Sequence, residues 1–152
     1  MRKRNFIWLL FLILLFVSSY YREVLFRSIN AIIDGEDFFY AKTTELPFLK
    51  NWTASELNRL KYILTIGFSV LFVLLTTFGL KWSFKSNLAF QISLGLYAIV
   101  VLVAGISLLI ALITNQFNDF YPFLRTLVGL IHNPLLFIIL SAGDKAIQVI
   151  RN

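Results

Sequence analysis

Residues 88–113 read LAFQISLGLYAIVVLVAGISLLIALI and contain no charged side chain. At about 1.5 Å per residue, a helix over this stretch is roughly 39 Å long, which exceeds the roughly 30 Å hydrocarbon core of a bilayer. An uncharged segment of this length is typical of a transmembrane helix, because a helix satisfies its own backbone hydrogen bonds where no water is available. The stretch therefore predicts a membrane protein.

Three more apolar stretches, at about 6–21, 62–80 and 123–140, accompany the first one. The whole chain of 152 residues is 59% hydrophobic and only 14% charged, against about 25% charged residues in soluble domains. We predict an all-α, polytopic membrane protein that forms a single membrane domain over residues 1–152 and has four transmembrane helices.

The first apolar stretch is short, since its 16 residues make a helix of about 24 Å. Tyr20 and Tyr21 complete the span if they lie at headgroup level, where aromatic side chains are enriched. The small residues of 17–19 (VSS) leave a second interpretation open, in which a secretory signal peptide is cleaved there. We expect a retained anchor.

The segment 22–61 is mixed in charge and is predicted to be an extracytoplasmic loop. Within it, apolar residues recur at helical spacing (Leu25, Ile29, Ile32 and Ile33). Glu23 and Arg27 are placed four apart for an ion pair, and Gly35 after Asp34 is a stop signal. This pattern predicts a short amphipathic helix on the bilayer surface between the first and second spans.

The second span has a specific start signal. Thr53 and Glu56 have the spacing of a capping box, in which the hydroxyl caps a helix and the carboxylate three residues later reaches back. The sequence therefore predicts that a helix begins just after Thr53.

Basic residues decide the orientation. One side of the membrane collects seven basic residues and a single acid, Asp144; these basic residues are Arg2, Lys3, Arg4, Lys81, Lys85, Lys145 and Arg151. The other side has six basic residues and seven acidic residues. The positive-inside rule then places both termini in the cytoplasm.

The fourth apolar stretch contains an unusual set of polar and helix-disrupting residues, namely Arg125, Gly129, His132, Asn133 and Pro134. Arg125 and His132 are seven apart and are expected on one helical stripe, which predicts a contact site for another membrane protein. In the alternatives, Arg125 snorkels to lipid phosphates, His132 is a packing residue, and Pro134 only kinks the helix. Glu23 and Arg27 are further candidates for partner contact.

Several function classes are disfavoured. The net charge of +6 suggests nucleic-acid binding, but the basic residues flank apolar spans and form no patch with interleaved aromatic residues. The chain has no cysteine and one histidine, and the predicted spans have no acidic residue. We therefore expect no catalytic residues, no metal, no cofactor and no enzyme activity of its own.

The order of short motifs resembles the exosortase F system-associated membrane proteins of Bacteroidetes-type bacteria. The matching segments cover most of the chain and are 22–26 (REVLF), 38–40 (FFY), 46–47 (LP), 61–62 (KY), Arg125 and 134–136 (PLL). Lys61 departs from the pattern, in which an Arg is expected.

The resemblance implies an accessory protein of the bacterial inner membrane that scaffolds, or presents substrates to, an exosortase-type transpeptidase whose catalytic cysteine belongs to that partner. The partners are then the lipid bilayer and this enzyme. A small transporter or channel subunit, using the polar residues of the last span, is the alternative. A lipid-modifying enzyme with Arg125 holding a phosphate is a third reading.

Overall fold

A computed structural model describes residues 2–84 and 87–151, and every regular element in these ranges is helical. Five α-helices and one 3₁₀ turn follow in the order α1 (Arg2–Asp34), the turn (Pro47–Leu49), α2 (Ala54–Phe84), α3 (Asn87–Thr114), α4 (Phe117–Ile131) and α5 (Leu135–Arg151). Lys85, which entered the orientation argument, lies outside the described residues.

Three helices, α1 to α3, are long and apolar enough to cross a bilayer. The pair α4 and α5 adds a fourth candidate span if it is taken together, with a bend of 54° between the two helices. Apolar side chains cover the outside of α3, where Ile99, Leu102 and Ile113 are 63%, 62% and 81% exposed. Lipid is the solvent for such a surface. These features confirm the prediction of an all-α fold and are consistent with a multi-pass membrane protein.

Helix α2 is the centre of the bundle and packs against each of the other four helices. The main core takes buried side chains from all five helices, namely Phe11, Leu15, Phe72, Leu80, Ala89, Tyr97, Ile131 and Phe137. Two hydrogen bonds cross between helices beside it. Tyr97 Oη donates to Thr76 Oγ1 at 3.0 Å, and Trp8 Nε1 donates to Ser141 Oγ at 2.9 Å. Apolar packing and a few polar contacts thus hold the helices together.

Small residues set two of the helix contacts. Gly79 is buried on α2, and a Cβ built there would lie 2.9 to 3.0 Å from the Phe11 side chain of α1. Ser107 and Ala111 are buried on α3, as expected for small residues four apart at a helix interface.

The separate amphipathic helix predicted after residue 21 is wrong, because α1 continues without a break to Asp34. Its predicted stop is confirmed: Gly35 has φ +67°, and Glu36 N–H donates to the Ala31 carbonyl at 2.9 Å, as in a Schellman motif. The apolar residues of this segment bury against protein, since Ile29 packs with Leu49 and Leu57.

The end of α1, the loop 35–53 and the start of α2 form a compact unit, which we call the outer cap (residues 22–61) after the predicted orientation, which places it outside the cytoplasm. Ser28 Oγ lies 2.6 Å from Thr43 Oγ1 and donates to the Thr44 carbonyl at 2.8 Å, so the loop is tied to α1. The capping box is confirmed, because Thr53 N–H donates to Glu56 Oε2 at 2.8 Å and Glu56 N–H donates to Thr53 Oγ1 at 3.3 Å.

Candidate functional site

The break between α4 and α5 is a helix stop followed by a new start. Asn133 Oδ1 accepts the Leu135 N–H at 2.9 Å, which makes Asn133 the N-cap of α5 and places Pro134 in its favoured first position. The alternative in which Pro134 only kinks one helix is wrong, and the Leu130 carbonyl, which Pro134 would leave free in a continuous helix, has a partner. That carbonyl accepts the Asn133 N–H at 3.3 Å.

His132 ends α4 and is only 2% exposed. Its Nε2 lies 2.9 Å from Ser69 Oγ of α2, and its ring packs against Phe72 with the centroids 5.4 Å apart. Its Nδ1 is buried and has no hydrogen-bond partner among the described residues. His132 therefore faces protein and links α4 to α2.

The hydrogen bonds around Ser69 favour one tautomer of His132. A serine hydroxyl has one proton, and Ser69 Oγ lies 2.8 Å from the Thr65 carbonyl, which can only accept. If that proton goes to Thr65, His132 Nε2–H donates to Ser69, and Nδ1 is an acceptor without a partner. The opposite tautomer buries an unpaired N–H donor, which is at least as costly. In this arrangement His132 is not a base for Ser69.

The pairing of Ser69 with His132 was missed from the sequence. Spacing along one span does not reach Ser69, which lies on α2 and is brought to His132 by helix packing. No local pattern predicts a contact between residues 63 positions apart.

Arg22 lies at the same level of the bundle as Ser69. Lys61 Nζ donates to Asn30 Oδ1 at 2.7 Å, and Phe11 contacts Gly79, so these two contacts fix the antiparallel register of α1 and α2. Arg22 falls between them, opposite Ser69.

The Arg22 side chain is half-buried, and its Nε is buried without a hydrogen-bond partner among the described residues. Its guanidinium lies 5.4 Å from the centre of the Phe26 ring. Arg22 also interacts electrostatically with Arg125 and with His132. We call Arg22, Arg125 and His132 the basic cluster.

The predicted stripe along α4 differs in exposure from one end to the other. Arg125 and Gly129 are exposed, whereas His132 at the helix end is buried. A Cβ at Gly129 would meet nothing within 4 Å, so this glycine permits no close helix contact in the described bundle. The buried residues of α4 are Leu127 and Ile131.

Glu23 and Arg27 form the predicted ion pair on the exposed side of α1. Glu23 also interacts electrostatically with Arg22, so its carboxylate serves two arginines. Over residues 2–84 and 87–151, Arg125 has no carboxylate within ion-pair distance, and no three potential metal ligands come together.

The chain matches no family model, no curated protein and no solved structure. Its helices fit one class, a multi-pass helical membrane protein, with three candidate spanning helices, or four with the bent pair.

Proposed function

We propose that the protein is an accessory subunit of the bacterial inner membrane, with both termini in the cytoplasm. In this role it scaffolds, or presents substrates to, an exosortase-type transpeptidase that processes exported proteins. The observation that carries the proposal is the outer cap, a folded unit attached to the ends of α1 and α2. Under the positive-inside orientation this unit lies on the extracytoplasmic side, where exported tags are processed.

The residues that carry the family resemblance support the proposal by their positions. Four of the matching segments, 22–26, 38–40, 46–47 and 61–62, belong to the outer cap or adjoin it. Lys61, the residue that departs from the pattern, donates to the neutral side-chain amide of Asn30. The contact at this position therefore does not require an arginine paired with a carboxylate. Most of the segments that carry the family resemblance thus lie in or beside the outer cap.

The outer cap also exposes a set of aromatic side chains. Phe39, Tyr40 and Phe48 are 82%, 80% and 69% exposed, although they lie in a loop with many polar residues. Aromatic side chains in such positions are typical of membrane interfaces and of protein contacts. They provide the contact area that an accessory subunit requires.

One observation favours the alternative, a small transporter or channel subunit. The last candidate span is broken between α4 and α5, and broken helices form substrate sites in many transporters. Here Asn133 is engaged as an N-cap and His132 is engaged with Ser69, so neither side chain lines an open path among the described residues.

The decisive experiment is co-purification of the tagged full-length protein from its native membrane, followed by mass spectrometry. A multi-spanning transpeptidase with an active-site cysteine is the expected partner. We expect Arg125→Ala to weaken this association more than Arg27→Ala, because Arg125 is exposed without a carboxylate partner and Arg27 is paired with Glu23. Equal loss in both variants contradicts Arg125 as a contact, and solute flux in liposomes of the pure protein supports the alternative.

The orientation has its own test. Reporters of periplasmic and cytoplasmic location, fused to the two termini and inserted in the loop 35–53, are expected to place both ends inside and the loop outside. Termini in opposite compartments contradict an even number of spans.

A further inference from the structure

The basic cluster is short of negative charge. Arg22 and Arg125 repel each other, and the one carboxylate that acts on Arg22, that of Glu23, is bonded to Arg27. Two guanidinium groups that repel each other beside apolar helices are stabilised by an anion that bridges them.

Unpaired polar atoms in the same place point to a missing partner. Among the described residues, three buried side-chain nitrogen or oxygen atoms have no hydrogen bond, and two of them are Arg22 Nε and His132 Nδ1. Buried polar atoms are nearly always hydrogen-bonded in proteins, so two unpaired ones in a single cluster need an explanation. A headgroup with several acceptor oxygens and a hydroxyl can serve both atoms, because the oxygens accept from Arg22 Nε–H and the hydroxyl donates to His132 Nδ1.

The surroundings indicate which group this is. Arg22 directly follows Tyr20 and Tyr21, which are 65% and 60% exposed, as expected for an aromatic pair at headgroup level. On α2, Ile63 and Ile66 are each 66% exposed and lie within two turns of Ser69. Lipid chains cover such residues in a bilayer, so an anion that arrives with acyl chains satisfies both the charge and the apolar surface.

We propose that Arg22 and Arg125 bind the phosphate, and His132 a hydroxyl, of an anionic phospholipid headgroup in the outer leaflet. Arg22 and Arg125 hold the phosphate oxygens by charge-assisted hydrogen bonds, and His132, fixed by Ser69, lies at the inner side of the site. The proposal does not depend on the transpeptidase partner, since the site rests on the packing of α1, α2 and α4; only its assignment to the outer leaflet rests on the positive-inside orientation.

The test uses the purified full-length protein in a zwitterionic detergent, titrated with phosphatidylglycerol and followed by native mass spectrometry. We expect one tightly retained lipid per chain. Arg125→Gln and Arg22→Gln are each expected to weaken this binding by about 10- to 100-fold, the loss that follows from removing a hydrogen bond between charged groups. Arg125→Lys is expected to retain part of the binding, because it keeps the charge and loses the planar fork.

Arg59→Gln is the matched control, since it removes the same charge from an exposed residue of the outer cap. Unchanged lipid binding in Arg125→Gln overturns the proposal, and so does an equal loss in Arg59→Gln, which indicates general attraction by charge. Arg125 is exposed, so its variant remains a valid test even if Arg22→Gln fails to fold.

A second arm separates a lipid from a soluble anion. Inorganic phosphate is added at millimolar concentration in place of the lipid, and the thermal stability of the protein is measured. A rise for phosphatidylglycerol alone supports the lipid site. An equal rise for inorganic phosphate, lost in Arg125→Gln, overturns the assignment to a lipid.

Discussion

The close approach of α1 and α2 at Gly79 makes a quantitative prediction. In Gly79→Ala the new Cβ would lie 2.9 Å from Phe11 Cγ and 3.0 Å from its Cβ and Cδ1. These atoms lie at the backbone end of the Phe11 side chain, so rotation of the ring does not relieve the contact with the new Cβ. Phe11 is also only 7% exposed and packs edge-on against Trp82 at 5.6 Å. Helix α1 must therefore shift as a whole.

Gly67→Ala on the same helix is the matched control, since a Cβ there meets nothing within 4 Å. Replacement of a helical glycine by alanine by itself favours the helix by up to about 1 kcal/mol. This gain is common to both variants, so their difference isolates the packing cost. Overpacking a close contact costs about 1–3 kcal/mol. We therefore expect Gly79→Ala to be less stable than Gly67→Ala by about 1–3 kcal/mol.

The assay is reversible unfolding of the purified protein in mixed micelles, with the free energy of unfolding compared between the two variants. Equal stability of Gly79→Ala and Gly67→Ala, or a more stable Gly79→Ala, refutes the close packing of α1 against α2 at this point.

Three smaller effects are expected from individual contacts. A double-mutant cycle of Ser69→Ala and His132→Leu is expected to give a coupling of about 0.6–1.7 kcal/mol, the range for hydrogen bonds between membrane helices; additive losses contradict the contact. Thr53→Ala is expected to speed amide exchange in the first turn of α2 and to cost about 1 kcal/mol, whereas Ser55→Ala leaves exchange unchanged. Lys42 has φ +51°, so Lys42→Gly is expected to raise stability by about 1 kcal/mol, and a lower melting temperature contradicts this backbone strain.

Local signals in the sequence predicted helix ends well. The capping box at Thr53 and the glycine stop at Gly35 depend on residues within three to five positions of one another, and both are confirmed. Asn133 followed by Pro134 is an equally local start signal for α5. It was interpreted as a kink because the apolar stretch continues through it.

Tertiary contacts were not predictable in the same way. The apolar face around Ile29 has to be buried, and the sequence does not show whether lipid or Leu57 of α2 covers it. For the same reason the sequence presents Arg22 only as a loop charge, whereas the register of α1 and α2 places it opposite Ser69, within the basic cluster. Such pairings depend on how helices pack, and no spacing along one helix encodes them.

The hydrogen bond from Trp8 to Ser141 joins residues 133 positions apart, the first helix to the last. At 5–20 residues per second, a ribosome needs roughly 7 to 27 s to make the chain between them. During this interval the indole N–H of Trp8 has to find water, a lipid headgroup or the insertion machinery, because its final partner does not yet exist. The bundle therefore closes only after synthesis reaches α5, and a chain that stops before Ser141 leaves this contact unmade.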